Sequence, residues 1–294
     1  MSATDLPTKS APRRRRTATS RRPGTSALTY TLLTLGLIVM AAPFLWMAVS
    51  AFKTPQDLGA SPPVWIPTEW TLANFRELLD LMDIARNFLN SAVVAVVVTL
   101  CNLVFCSMLG YALAKLNFFG KRGVLAIVLG ALMVPGNLML LPQFVMMSKM
   151  GLLDSYAGLI LPFAAGAFGV FLMRQFMAAI PDELLEAARI DGAGEWYIFW
   201  RIVIPLVKPA LATLTIFVFL GSWNNFLWPL VATNDPDKYT LPVALATFAT
   251  DPTKAAGSNG VLMAGALLVV LPVVAVFIAL QRHFTQGIAT SGLK

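Results

Sequence analysis

The residues of this chain best placed to do chemistry are Glu186, Asp191 and their neighbours, and that chemistry is recognition rather than catalysis. They lie in PDELLEAARIDGAGEWYIFWRIVIPLVKP, residues 181–209, a mixed-charge stretch set among long apolar runs. Pro181 suits the first position of a helix, where its missing N–H costs nothing, and Asp182 and Glu183 complement the positive end of the helix dipole. Leu184, Leu185, Ala187, Ala188 and Ile190 then supply an apolar face, and its alanines let a partner's backbone come close. Gly192 is a natural left-handed terminator and Gly194 a second loose point. A second amphipathic piece, 195–204, carries Trp196, Tyr197, Phe199 and Trp200, suited to a lipid surface. Pro205 ends it and Pro209 opens the next apolar run. A soluble-looking helical hairpin between apolar runs calls for something soluble to touch, and a carboxylate such as Glu186 would pair there with a basic group.

Other chemistries are poorly supplied. His283 is the sole histidine and sits beside Arg282 as an interfacial polar side chain, so a metal site is not expected. Cys101 and Cys106, five residues apart on one helix, lie too far apart to bridge and read as small packing residues. No G-x-x-x-x-G-K-[ST] phosphate loop is present, so any energy from ATP must enter through another subunit.

The elements that position the hairpin follow from composition. Of 294 residues 57% are hydrophobic and 13% charged, against about a quarter charged in soluble domains. Apolar runs cover 28–52, 88–114, 123–147, 157–173, 210–233 and 260–280, none with Asp, Glu, Lys, Arg or His. Each is close to the roughly 20 residues that a spanning helix needs. The chain is therefore expected to be an all-α integral membrane protein with six transmembrane helices. A membrane-embedded enzyme would need titratable groups at membrane depth, and a secondary transporter an intramembrane charge or inverted repeat; neither is visible.

With the N-terminus inside, 16 of the 22 Lys and Arg fall in cytoplasmic segments, leaving +10 there and −3 outside. Positive-inside bias thus places both termini in the cytoplasm, and the net +7 speaks for topology, with no nucleic-acid partner. Residues 1–27, rich in Ser, Thr, Pro and Arg, are expected to form a disordered basic tail. Arg13 to Arg16 orient the first helix, with anionic lipid within reach.

Two sets of residues look toward a pathway. Val134-Pro135-Gly136-Asn137 breaks the third run and puts the amide of Asn137 near mid-membrane, where freed backbone groups favour the edge of a translocation path. Trp223, Asn224, Asn225 and Trp228 combine aromatic faces with amides, the usual means of meeting sugar C–H surfaces and hydroxyls. Interfacial anchoring is the alternative role for Trp228.

Glu186-Ala187-Ala188, Asp191-Gly192-Ala193 and Ile204-Pro205 together resemble the EAA signature of binding-protein-dependent ABC importer permeases. Asn90-Ser91, Gly110-Tyr111-Ala112-Leu113-Ala114-Lys115, Phe118 to Arg122, Trp223 to Pro229 and the tail from Gln281 to Lys294 resemble the carbohydrate branch, specifically the maltose-type second permease. The likeness covers about residues 28–294 and implies a type I ABC importer permease fold in the bacterial inner membrane, with 181–205 as the cytoplasmic coupling segment. It implies Glu186, Ala187, Ala188, Asp191, Gly192 and Ala193 as the ATPase-coupling residues, Asp191 and Gly192 shaping the turn. A sister permease, a pair of ABC ATPases and an extracytoplasmic solute-binding protein would be the partners. No cofactor would sit in this chain, ATP and Mg²⁺ belonging to the ATPase. The implied cargo is a di- or oligosaccharide, with glycerol 3-phosphate or a glycerophosphodiester as the alternative. Asn225 departs from the acidic residue common at its position, which leaves the polarity of the outer path open. The C-terminal tail would reach between the ATPases.

Overall fold

The computed structural model describes residues 23–251 and 259–291, and every element among them is helical. The expected tail lies outside them up to residue 22, as do the side chains of Arg282 and His283. The chain divides into two compact units at Trp46 and Met47. The described part of the first unit is helical from Pro23, five residues ahead of the expected start, through Trp46, with apolar side chains from Leu28 to Leu45 largely exposed; the same helix ends at Ser50.

In the second unit a long apolar helix spans Ile84–Lys115, capped by the Asp83 carboxylate accepting from the Arg86 N–H. Its 32 residues extend about 48 Å at 1.5 Å per residue. That exceeds a hydrocarbon layer of about 30 Å, so both ends reach past it. This central helix packs against Ala167–Ala178 and Lys208–Trp223, and the last helix, Asn259–Ser291, packs against the latter and against Ala73–Leu81. That last helix continues through most of the expected C-terminal tail.

Three of the six expected spans are continuous helices, two are bent pairs, and the fifth overlaps the second arm of a third bent pair. Lys121–Met133 meets Gly136–Lys149 at 100°, Tyr156–Phe163 meets Ala167–Ala178 at 44°, and Glu195–Leu206 meets Lys208–Trp223 at 79°. The first two bends fall where prolines interrupt the ladder of backbone hydrogen bonds. Pro205, expected to end its helix, instead lies in the helix's last turn, and the chain turns at Val207 (φ −100°, ψ 19°). The fifth expected span stops at Trp223 and resumes as Leu227–Ala232.

Backbone freed at the 44° bend is answered by a buried amide. Asn102 Nδ2 donates to the Phe163 carbonyl at 2.6 Å, and its Oδ1 accepts from the Gly166 N–H at 2.9 Å. A bend at membrane depth persists only when such a neighbour re-satisfies it. Gly110 allows a close helix crossing: a Cβ there would stand 2.8 Å from Met173 Cβ and 2.9 Å from the Arg174 backbone nitrogen.

Candidate functional site

The segment singled out by its charges folds as the helix Asp182–Ile190, followed by a loop and a second helical stretch beginning at Glu195. Pro181 sits one place earlier than expected, at the cap position with extended backbone (φ −57°, ψ 135°). The far end closes with a Schellman cap. Gly192 adopts φ +85°, its N–H bonds the Arg189 carbonyl, and the Ala193 N–H bonds the Ala188 carbonyl at 2.9 Å. Ala188 and Ala193 are half-buried against one core, the apolar contact that accompanies this cap. The sequence Asp191-Gly192-Ala193 is thus a helix stop with a stated geometry.

The helix shows two faces where one apolar face was expected. Leu185 is 1% exposed and Ala188 half-buried, in the core with Ile198, Phe199 and Val203. Leu184, Ala187 and Ile190 turn outward with Glu186, Ile190 at 86% exposure. At 3.6 residues per turn, 185 and 188 share a face that 187 and 190 lie opposite, with 184 at its edge. Glu186, Ala187, Asp191 and Gly192 are all exposed. In the following stretch Phe199 is buried, contrary to its expected place at a lipid surface, while Trp196, Tyr197 and Trp200 remain exposed. Phe199 packs its ring on Tyr111 at 5.4 Å and on Trp200 at 4.9 Å.

Two polar clamps fix this hairpin to the central helix, and no local sequence pattern pairs the groups that form them. Lys115 Nζ donates to Asp182 Oδ1 at 2.6 Å and to the Ile180 carbonyl. The lysine side chain is 5% exposed and the aspartate 73%. Its hydrogen bond, then its charge, hold the Asp182 carboxyl below the usual carboxylate range. At the other end Tyr111 Oη donates to Glu195 Oε2 at 2.6 Å, and Arg189 Nε donates to Glu195 Oε1 at 2.8 Å. Tyr111 and Lys115 stand one helical turn apart, which gives the quoted Gly110-to-Lys115 motif a physical role.

The opposite end of the central helix carries a matching network. Asn90 Nδ2 donates to the carbonyls of Asp237 and Tyr239, both at 2.9 Å, and its Oδ1 accepts from Tyr156 Oη at 2.6 Å. Ser91 Oγ accepts from the Leu241 N–H at the start of the helix Leu241–Thr250. Asp154 (φ 54°) receives the N–H groups of Asn234 and Asp235, which hold its carboxyl below the usual range.

The expected pathway residues are not brought together. Trp223 is 2% exposed, with Nε1 donating to the Val269 carbonyl at 2.9 Å and its ring stacked on Phe219. Trp228 is also 2% exposed and donates to the Gly158 carbonyl at 3.1 Å. Both indoles are buried with bonded N–H groups, in two different cores. Asn224 is exposed and donates back to the Leu220 carbonyl, and Asn137 is exposed just beyond the 100° bend. Asn225 lines a mostly apolar cleft, where Asn102 and Ser222 are the other polar side chains.

Helices enough to cross a membrane up to six times, with a capped hairpin displayed between two of them, describe the membrane subunit of a larger machine. The chain belongs to the binding-protein-dependent transport system inner membrane components, whose family model matches residues 106–290. It is 37% identical over 278 residues to the arabinooligosaccharides transport system permease protein AraQ of Halalkalibacterium halodurans, covering 92% of this chain and 98% of that one. It is 32% identical to the sn-glycerol-3-phosphate transport system permease protein UgpE of Agrobacterium fabrum, covering 91% and 97%. Among solved structures, a chain of a bacterial ABC transporter involved in the import of the acidic polysaccharide alginate aligns at a TM-score of 0.81. That match has 25% identity and covers 88% of this chain and 96% of the other. This chain is a multi-pass permease subunit of an ABC importer.

Proposed function

We propose that this chain forms half of the translocation path for a di- or oligosaccharide and carries ATPase motion into the membrane through residues 181–205. A sister permease supplies the other half, a pair of ABC ATPases binds ATP and Mg²⁺, and an extracytoplasmic solute-binding protein delivers the sugar. The observation that carries the reading is the display of Glu186, Ala187 and Ile190 on a helix whose opposite face is anchored by Leu185. Those outward residues meet the ATPase, Glu186 pairing with a basic group, while Asp191, Gly192, Ala188 and Ala193 hold the shape of the turn. Closure of the ATPases draws the coupling segments together and opens the helices on the far face. Both termini lie in the cytoplasm, as the +10 and −3 charge division supports. Half-buried Asn225, with exposed Asn137 and Asn224, supplies the candidate amides for contact with sugar.

The test is ATP hydrolysis by the purified complex with its binding protein, against a panel of oligosaccharides and glycerophosphates. Stimulation by an oligosaccharide supports the reading; stimulation by glycerophosphates alone keeps the architecture and overturns the cargo. Glu186→Arg should leave membrane insertion intact and weaken ATPase association, and undiminished recovery of ATPase would sink the coupling assignment.

A further inference from the structure

We propose that Tyr111 and Lys115 are positioning residues that lock the coupling helix to the central helix, so that the two move as one body when the ATPase pulls. The inference rests on the reading that Asp182–Ile190 seats on the ATPase. A nine-residue helix is too short to hold itself in water. Resting only on Leu185 and Ala188 it would be free to swivel, and force applied to its outer face would turn it in place. Two side chains of one helix prevent that. Lys115 grips the beginning, through the Asp182 carboxylate and the Ile180 carbonyl, and Tyr111 grips the end indirectly, through Glu195, which accepts from Arg189 in the helix's last turn.

Three features make the lock specific. Tyr111 and Lys115 lie on one face of the central helix, so both grips pull against the same rigid rod. Lys115 is a buried ammonium, and a buried charge is tolerated only when paired, so releasing Asp182 is costly at that end. Gly110, next to Tyr111, lets the central helix close on Met173 and Arg174 with no room for sliding. The sharp bends of the second unit, at 134–136, 164–166 and Val207, all fall outside the two clamped helices. Motion introduced at Asp182–Ile190 is therefore delivered along the central helix to Asn90 and Ser91 at its other end and absorbed at the bends.

The experiment uses the complete complex in lipid nanodiscs and in proteoliposomes. Hydrolysis with and without sugar-loaded binding protein, and sugar transported per ATP, are measured for wild type, Tyr111→Phe, Lys115→Met and Lys115→Arg. The first two substitutions should keep ATPase subunits associated and unstimulated hydrolysis intact. They should lower binding-protein stimulation and transport per ATP about tenfold, within the range of about 5- to 150-fold usual for linked sites. Lys115→Arg keeps a cation of similar reach and should recover most of the loss. Wild-type transport per ATP in both Tyr111→Phe and Lys115→Met overturns the inference. So does an arginine variant as poor as the methionine one, or loss of ATPase from either variant, since these mark a merely structural or docking role. A wild-type complex that binds no ATPase overturns the functional reading itself, and this inference with it.

Discussion

Replacing Leu185 by alanine tests the orientation of the coupling helix directly. Its side chain is 1% exposed in a core with Ile198, Phe199 and Val203, outside the apolar runs, so water-based energetics apply. Losing a buried leucine side chain to alanine costs about 2 to 5 kcal/mol, transfer and cavity terms together. The lower figure suits a short surface helix that can partly collapse into the gap. At 1.4 kcal/mol per factor of ten, 2 kcal/mol raises the open population about thirtyfold. Because the helix has nine residues and little stability of its own, that loss falls on its local opening. Hydrogen exchange of amides in 185–193, followed by mass spectrometry on the permease in nanodiscs, should quicken by about that factor. Ile190→Ala removes a side chain that is 86% exposed and should leave exchange unchanged while lowering ATPase recovery. Faster exchange in Ile190→Ala with none in Leu185→Ala would mean that the helix is turned the other way, and the reasoning fails.

Three further outcomes follow from the same geometry. Gly192 at φ +85° has open space where a Cβ would go, so Gly192→Ala meets backbone strain alone and should cost about 1–2 kcal/mol. Gly192→Asn should cost less, because asparagine visits this region more readily, and comparison of the two melting temperatures checks the Schellman cap. Trp228→Phe leaves the Gly158 carbonyl without its donor and should cost about 1–3 kcal/mol in thermal stability, with the transport KM unchanged. A shifted KM at unchanged Tm would put that ring back on the pathway. Asp154 is held below its ordinary pKa by the N–H groups of Asn234 and Asp235. Its stabilising effect is therefore present above the unfolded value of about 4 and is lost as pH falls through the lower, folded one. Pepsin nicking in 234–239 should rise on acidification through that window in wild type. In Asp154→Asn the rise should be absent, and a variant that keeps the wild-type acid transition would refute the assignment.

The features that could be read in advance are those that depend on near neighbours. Membrane character follows from six apolar runs, and the coupling helix from a proline start, a leading acidic pair and a glycine stop, all within a few turns of one another. The bends were legible only as prolines. Pro135 marked a true break, but Pro43 and Pro272 lie inside continuous helices, because surrounding contacts decide whether a proline breaks a helix or is absorbed. The indoles are ambiguous for a related reason. An aromatic-amide run reads the same whether its rings face a pathway or a core, and only the fold brings the Val269 and Gly158 carbonyls to the two N–H groups.

The amino-acid sequence by itself determined that the chain lives in a membrane, where its one soluble-looking hairpin lies and how that hairpin's first helix ends, since burial preference and backbone capping are local properties. Tertiary structure alone decided that Lys115 would reach Asp182, 67 positions away, and Tyr111 reach Glu195, 84 away. Any of the chain's carboxylates could accept from an ammonium or a phenol. Which one does is set by how closely the helices approach, and that depends on Gly110 meeting Met173 and on Leu185 entering the core.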